Sequence, residues 1–321
     1  MTWPGSGAEP SGENLAESDL SVRTTADGSF SLHSERFGEG FHSAGGALRE
    51  ARHTFVEPAQ LQRFAPGTQL VVVEVCVGTG SNTAALLEAC AERALRLSWH
   101  GLELEPEPLR LALGDSGFCA QWQPEALDPL RQLEASSSWV SCLGEGRVLW
   151  GDARTQLPAL RDALAGQVDL VLMDAFSPRR CPELWTLEFL GGLAALLAPT
   201  GRLLTYCSAA AVRAALQQLG LELAAIRSRQ QRWSGGTAAS PGALLGEHLP
   251  VEDDGSCNPL RPLTPMEHEH LATNAALPYR DPTGQGTAAA ILAERERRQR
   301  DLLVAGELEP TSAWRRRWGL G

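Results

Sequence analysis

The chain has 321 residues, 43% of them hydrophobic, enough for one large domain with attachments. Its formal net charge is −11, which excludes a polycation that adheres to nucleic acid over its whole surface. All 28 basic residues are Arg, so lysine Schiff-base chemistry and a P-loop lysine are excluded too.

In chain order, residues 1–27 are rich in Gly, Ser, Glu and Pro and are expected to be disordered. No positive region followed by an apolar one marks a signal peptide there. "SFSLHSERFGEGFHSAGGALREARHTFVEP" alternates aromatic and Gly residues and predicts a hairpin followed by a short helix. Gln69 to Val75 is a continuous β-branched run, the pattern of a strand buried on both faces. A turn through Gly78 and Gly80 leads into an Ala/Leu-rich helix from Asn82. "LSWHGLELEP", "GRVLWGDARTQL", "VDLVLMDAFSP", "GRLLTYCS" and "LELAAIRSRQQRW" predict further strands, with helices between them, among them "ELWTLEFLGGLAALLAP", broken by Pro199. That alternation predicts an α/β fold with a mostly parallel, doubly wound sheet. The domain is expected to span 28–233. A loop or linker is expected at 234–262 from its Gly, Pro, Ser and acid content, and a helical tail at 263–321. Thr264, Pro265 and Glu267 predict a capped helix start in that tail.

Seven cysteines lack C-x-x-C spacing, so they read as reduced thiols in a cytoplasm rather than as a zinc site. The histidines have no ligand spacing either, and no metal is expected. No run approaches the ~18 apolar residues of a spanning helix, so no membrane association is expected.

The glycine turn lacks the third glycine of the dinucleotide fingerprint; Thr83 stands there. Beyond it, acids recur near successive strand ends: Glu74, Glu103, Asp152 after Trp150, and Asp174. Open α/β sheets bind ligands in the crevice at those ends. Four acids repel phosphate and favour a ligand with ribose, adenine and a cationic centre. S-adenosylmethionine fits, with Glu103 at the ribose, Asp152 at the adenine amine, and Glu74 and Asp174 near the methionine end. The competing reading is four independent helix caps.

The motifs "GEGFHSAGGALREARHTFVEP", "EVCVGTGSNT", "GLELEP", "WGDARTQL" and "DAFSPRRCPELW" together resemble the methyltransferase domain of the MnmC family. The likeness covers about residues 28–232. It implies a Rossmann-like class I methyltransferase that uses S-adenosylmethionine. It also implies N-methylation of the 5-aminomethyl group on the wobble (2-thio)uridine in the tRNA anticodon loop, in the cytoplasm. Two positions depart from the pattern: Thr83 follows Asn82 where the family has an aromatic, and Cys181 replaces an Asn. No second G-x-G-x-x-G announces the flavin-dependent oxidase that bifunctional members carry.

On this reading Asp174 meets the incoming amine, and Phe176 and Trp185 flank the uracil. Gly78, Gly80, Asn82, Glu103, Trp150 and Asp152 hold the cofactor with Glu74 and Asp174. Arg179, Arg180, Arg229 and Arg232 contact tRNA phosphates. The competing functions are a small-molecule methyltransferase, an aminopropyltransferase using the same acidic pocket, and a non-catalytic tRNA- or protein-binding module.

Overall fold

The computed structural model describes residues 19–43, 45–228, 234–245 and 258–320. Among the described residues, twelve strands form two sheets. The small one is antiparallel, with β1 (Leu20–Thr24), β2 (Phe30–Ser34) and β3 (Glu39–Gly40) in that order. The large one contains β4 (Gln69–Val75), β5 (Arg96–Glu103), β6 (Ser138–Ser141), β7 (Gly144–Trp150), β8 (Val168–Met173), β9 (Leu197–Thr205), β10 (Glu222–Ile226), β11 (Gly236–Ser240) and β12 (Leu260–Arg261). Its order is β12-β10-β11-β9-β8-β4-β5-β7-β6. The five central strands, β9 to β7, are parallel, and the strands at both flanks are antiparallel. This is the mostly parallel α/β sheet that the alternation of strands and helices predicts.

The central strands are apolar because both of their faces are covered. Val72, Leu170 and Leu172 pack on one face, and Val73, Val75, Val171 and Met173 on the other. Each such side chain, fully buried, stabilises the fold by roughly 1.5–3 kcal/mol. Alternation along each strand therefore builds two cores from one run of sequence.

Three expectations need correction. The disorder expected through residue 27 ends sooner, because Leu20–Thr24 is β1, paired with β2. Residues 1–18 lie outside the described residues. The range 234–262 is not simply a linker: Gly236–Ser240 is buried in the sheet between β9 and β10. Small residues allow this close packing, since a Cβ on Gly236 would lie 2.2 Å from the Thr205 carbonyl oxygen. The helix expected to run to Pro199 is Leu187–Ala194, capped by Thr186, and β9 begins at Leu197.

The C-terminal stretch packs onto the domain. Thr264 and Glu267 form the expected capping box of helix Pro265–His270. Glu267 also pairs with buried Arg213 at 3.0 Å and with Arg261 at 2.6 Å. These bonds outweigh its burial and hold its carboxyl down at about 2. Arg213 in turn donates to Thr237 on β11 at 2.9 Å. One guanidinium thus ties a domain helix, a sheet strand and the tail together. Among the described residues, no helix is long and apolar enough to cross a membrane.

Candidate active site

A cavity of about 820 Å³ opens where β4, β5, β7 and β8 end. Its opposite wall comes from the three-stranded sheet and the helical stretch that follows it. Of the residues singled out from the sequence, Gly78, Asn82, Glu103, Asp152, Asp174 and Phe176 line this one space.

Gly78 sits at φ +56°, and a Cβ there would come within 3.2 Å of the Phe41 ring. Glycine keeps this turn open. The N–H of Gly78 donates to Glu103 Oε2 at 2.7 Å, and that of Leu104 donates to Oε1 at 2.7 Å. Burial nevertheless raises the Glu103 carboxyl above its ordinary value. Asp152 caps helix Ala153–Leu164 through the N–H of Arg154 at 2.9 Å. Burial pushes its carboxyl up, but the bonds from Arg154 prevail and lower it. Asp152 is therefore a cap and a cavity residue at once.

Asp174 lies just beyond β8, on the cavity floor. Asn82 donates its Nδ2–H to Asp174 Oδ2 at 2.7 Å. Burial, then the nearby negative charge of Glu50, push the Asp174 carboxyl well above the carboxylate range. Glu50 also lines the cavity, accepts the Ser43 N–H at 3.0 Å, and is raised by its own burial. The loop after Asp174 is pinned to the N-terminal sheet, where Ser177 N–H donates to Glu39 Oε2 at 2.9 Å. Phe176 stacks on Phe37 at 4.5 Å and meets Phe41 edge-on at 5.1 Å.

Several expected site residues stand elsewhere. Glu74 is fully buried and does not line the cavity. Its Oε2 accepts from Thr83 at 2.8 Å and from Trp99 at 2.9 Å. Gly80 does not line it either: φ is +82°, and a Cβ would sit 2.9 Å from Leu130, so that glycine serves packing. Trp150 packs against the core and donates to Ser137 Oγ at 2.8 Å. Trp185 is buried and cannot flank a base. Its Nε1–H donates to the Phe176 carbonyl at 2.7 Å, which steadies the loop instead. Arg179 and Arg180 are exposed, and neither lines the cavity. Arg229 and Arg232 lie outside the described residues. Sequence reasoning missed Glu50, Phe37, Phe41 and Arg154. The aromatic–Gly alternation hinted at Phe37 and Phe41, and Phe41, Glu50 and Arg154 lie inside the quoted motifs without having been given a role.

A family model described as an S-adenosyl-L-methionine-dependent methyltransferase matches residues 134–240. The tRNA 5-methylaminomethyl-2-thiouridine biosynthesis bifunctional protein MnmC of Pseudomonas fluorescens is 32% identical over 232 residues, 68% of this chain and 33% of that protein. The chain thus spans about a third of the length of this curated relative. The crystal structure of MNMC2 from Aquifex aeolicus aligns with a TM-score of 0.71 at 27% identity, over 90% of this chain and 87% of that one. This chain is an MnmC-like, S-adenosylmethionine-dependent methyltransferase.

The structural match covers more of this methyltransferase than residues 28–233 could supply, so it reaches into the C-terminal stretch. The carboxyls of Glu50, Glu103, Asp152 and Asp174 all line the cavity, a donor and acceptor set that fits a ligand with hydroxyl and amine groups such as this cofactor.

Proposed function

We propose that this methyltransferase converts the 5-aminomethyl group of the tRNA wobble (2-thio)uridine to 5-methylaminomethyl, acting on the anticodon loop in the cytoplasm. The observation that carries the reading is the half-buried carboxyl of Asp174, lining the cavity beside the aromatic side chains of Phe176, Phe37 and Phe41. The relatives supply the rest of the support, since both belong to MnmC proteins.

When bound, S-adenosylmethionine supplies a methyl carbon on a sulfonium, and the C–S electron pair stays on sulfur as the methyl leaves. The chain's own work is positioning and proton handling. The acceptor must be a neutral amine, because an ammonium has no lone pair. Asn82 fixes one oxygen of Asp174 and leaves the other to the cavity. A carboxylate with a raised proton affinity takes the proton from the acceptor's ammonium and frees its lone pair. Burial sets that affinity, and the like charge of Glu50 nearby adds to it. The new C–N bond leaves a secondary ammonium, which releases its proton to solvent. The flat uracil lies against the Phe176 wall, as stacked bases do in RNA loops.

The test is methyl transfer from S-adenosylmethionine to tRNA carrying 5-aminomethyl-2-thiouridine, with the nucleosides resolved by mass spectrometry. A gain of one methyl on that nucleoside supports the reading. No gain, with cofactor binding intact, sinks it and points to another amine acceptor.

A further inference from the structure

The C-terminal stretch returns to the edge of the cavity at Arg154. This side chain lines the cavity and is mostly buried. One edge of its guanidinium grips Asp152: Nη2 donates to Oδ2 at 2.7 Å and Nε to Oδ1 at 3.1 Å. The other edge grips the tail: Nη1 donates to the Gly286 carbonyl at 2.8 Å and to Asp281 Oδ2 at 3.3 Å. A single planar fork therefore joins a cavity carboxylate to a segment 127 residues away.

The segment is fixed without help from Arg154. Asp281 is buried, and it accepts from Thr283 Oγ1 at 2.8 Å and from the Gly286 N–H at 2.9 Å. A Cβ on Gly286 would press on Asp281 Oδ1 at 3.0 Å and on Ile291 at 3.2 Å, so glycine keeps this knot tight. Upstream, the Leu187 N–H donates to the Tyr279 carbonyl at 2.9 Å, and the Asp281 N–H donates to Glu188 Oε2 at 2.8 Å. These bonds also reach the helix that follows the Asp174 loop. The tail thus braces two of the cavity's loops, one through Arg154 and one through Leu187 and Glu188.

An exposed ion pair would count for little here. Arg154 and Asp281 have 17% and 4% of their side chains exposed, whereas Asp152 has 39%. The buried half of the bridge is the anchor, and the exposed carboxylate is what it aims. Free of Arg154, Asp152 would keep its capping bond but could turn its second oxygen.

We propose that Arg154 is a positioning residue of the donor site, and that segment 279–286 is part of that site because it sets, through Arg154, the direction of the Asp152 carboxylate toward the adenosyl end of the donor. The proposal rests on the reading of Asp152 as a donor contact.

Calorimetric titration of the full chain with S-adenosylmethionine tests it without any acceptor. Arg154→Lys keeps the charge and loses the fork; it is expected to weaken donor binding about tenfold. Asp281→Asn is expected to weaken it about threefold. The double variant should bind no worse than Arg154→Lys alone, because both changes act through one contact. In the methyl-transfer assay, KM for the donor rises while kcat at saturating donor stays within about twofold. Melting curves confirm that each variant is folded; should Asp281→Asn not fold, Arg154→Lys decides alone. Donor affinity within about twofold of wild type in the folded single variants overturns the proposal. Asp152→Asn separates the two failures. If it weakens binding while Arg154→Lys does not, only the brace is wrong; if it too has no effect, the reading of Asp152 falls first.

Discussion

The two walls of the cavity are made in different ways. The strand-end wall consists of turns at parallel strand ends, where Glu103 and Asp152 are held by backbone N–H groups within a few residues or one strand of themselves. The facing wall comes from short antiparallel strands and a helical stretch, which bring Phe37, Phe41 and Glu50 to the floor residue Asp174. The first wall is fixed by amides; the second sets Phe37 and Phe41 beside the half-buried Glu50, among polar and charged neighbours such as His42 and Arg49. This difference implies a division of labour. Damage to the strand-end wall should appear in donor affinity, and damage at the floor and the aromatic wall in the rate of transfer.

Asp174→Asn should give the largest effect. We expect kcat to fall by about 10²–10⁴-fold, the range for loss of a positioned proton acceptor, with donor affinity within a few-fold. Wild-type rate should also climb with pH. Burial and Glu50 raise the Asp174 carboxyl, so at low pH it already carries a proton and cannot take another. Single-turnover rates and calorimetry check both statements. A fall in donor affinity as large as the fall in rate would erase the division between the walls.

The strand-end wall was largely legible in the sequence and the other was not, for physical reasons. The run Gln69–Val75 and the apolar stretch before Asp174 announce buried strands, and the crevice lies at their ends. The strand-end rule failed at Glu74 for a definable cause. Asp152 and Asp174 lie beyond the last residues of β7 and β8, and Glu103 is the last residue of β5, whereas Val75 continues β4 past Glu74. An acid inside the ladder faces a core, and only one at or past its end can turn toward the crevice. Trp150 closes β7 but faces Ser137. Phe37, Phe41 and Glu50 left no comparable signal, because strands as short as β3 have no measurable period and their link to Asp174 is purely tertiary. The bridge from Arg154 to Asp281 is equally invisible to local pattern.

Glu74 offers a sharper contrast with the floor acid: both are raised, but Glu74 is fully buried and Asp174 only half-buried. Its proton affinity rises from 4.5 to about 7, chiefly through burial. The folded state therefore holds this proton more tightly than the unfolded chain. Its contribution to stability is full below about 4.5 and is lost as pH rises through about 7. The loss amounts to about 3 kcal/mol at alkaline pH. Glu74→Gln removes the titration, so its unfolding free energy should gain on wild type as pH rises from 5 to 8, while catalysis changes little. Denaturant titrations at the two pH values measure the difference between the chains and cancel every other titrating group. A flat difference would mean that Glu74 does not ionise in this window.

The smallest effect is expected at Trp150. Its ring lies outside the cavity, and the indole N–H donates to Ser137 Oγ. Trp150→Phe removes that bond and should cost about 1 kcal/mol of stability. The rise in melting temperature caused by saturating S-adenosylmethionine should match that of wild type, because no donor contact has been touched. Asp152, two residues further on, separates the cases: its replacement should shrink that rise. Equal losses at both positions would place the indole against the donor after all, and the strand-end wall would then include an aromatic face.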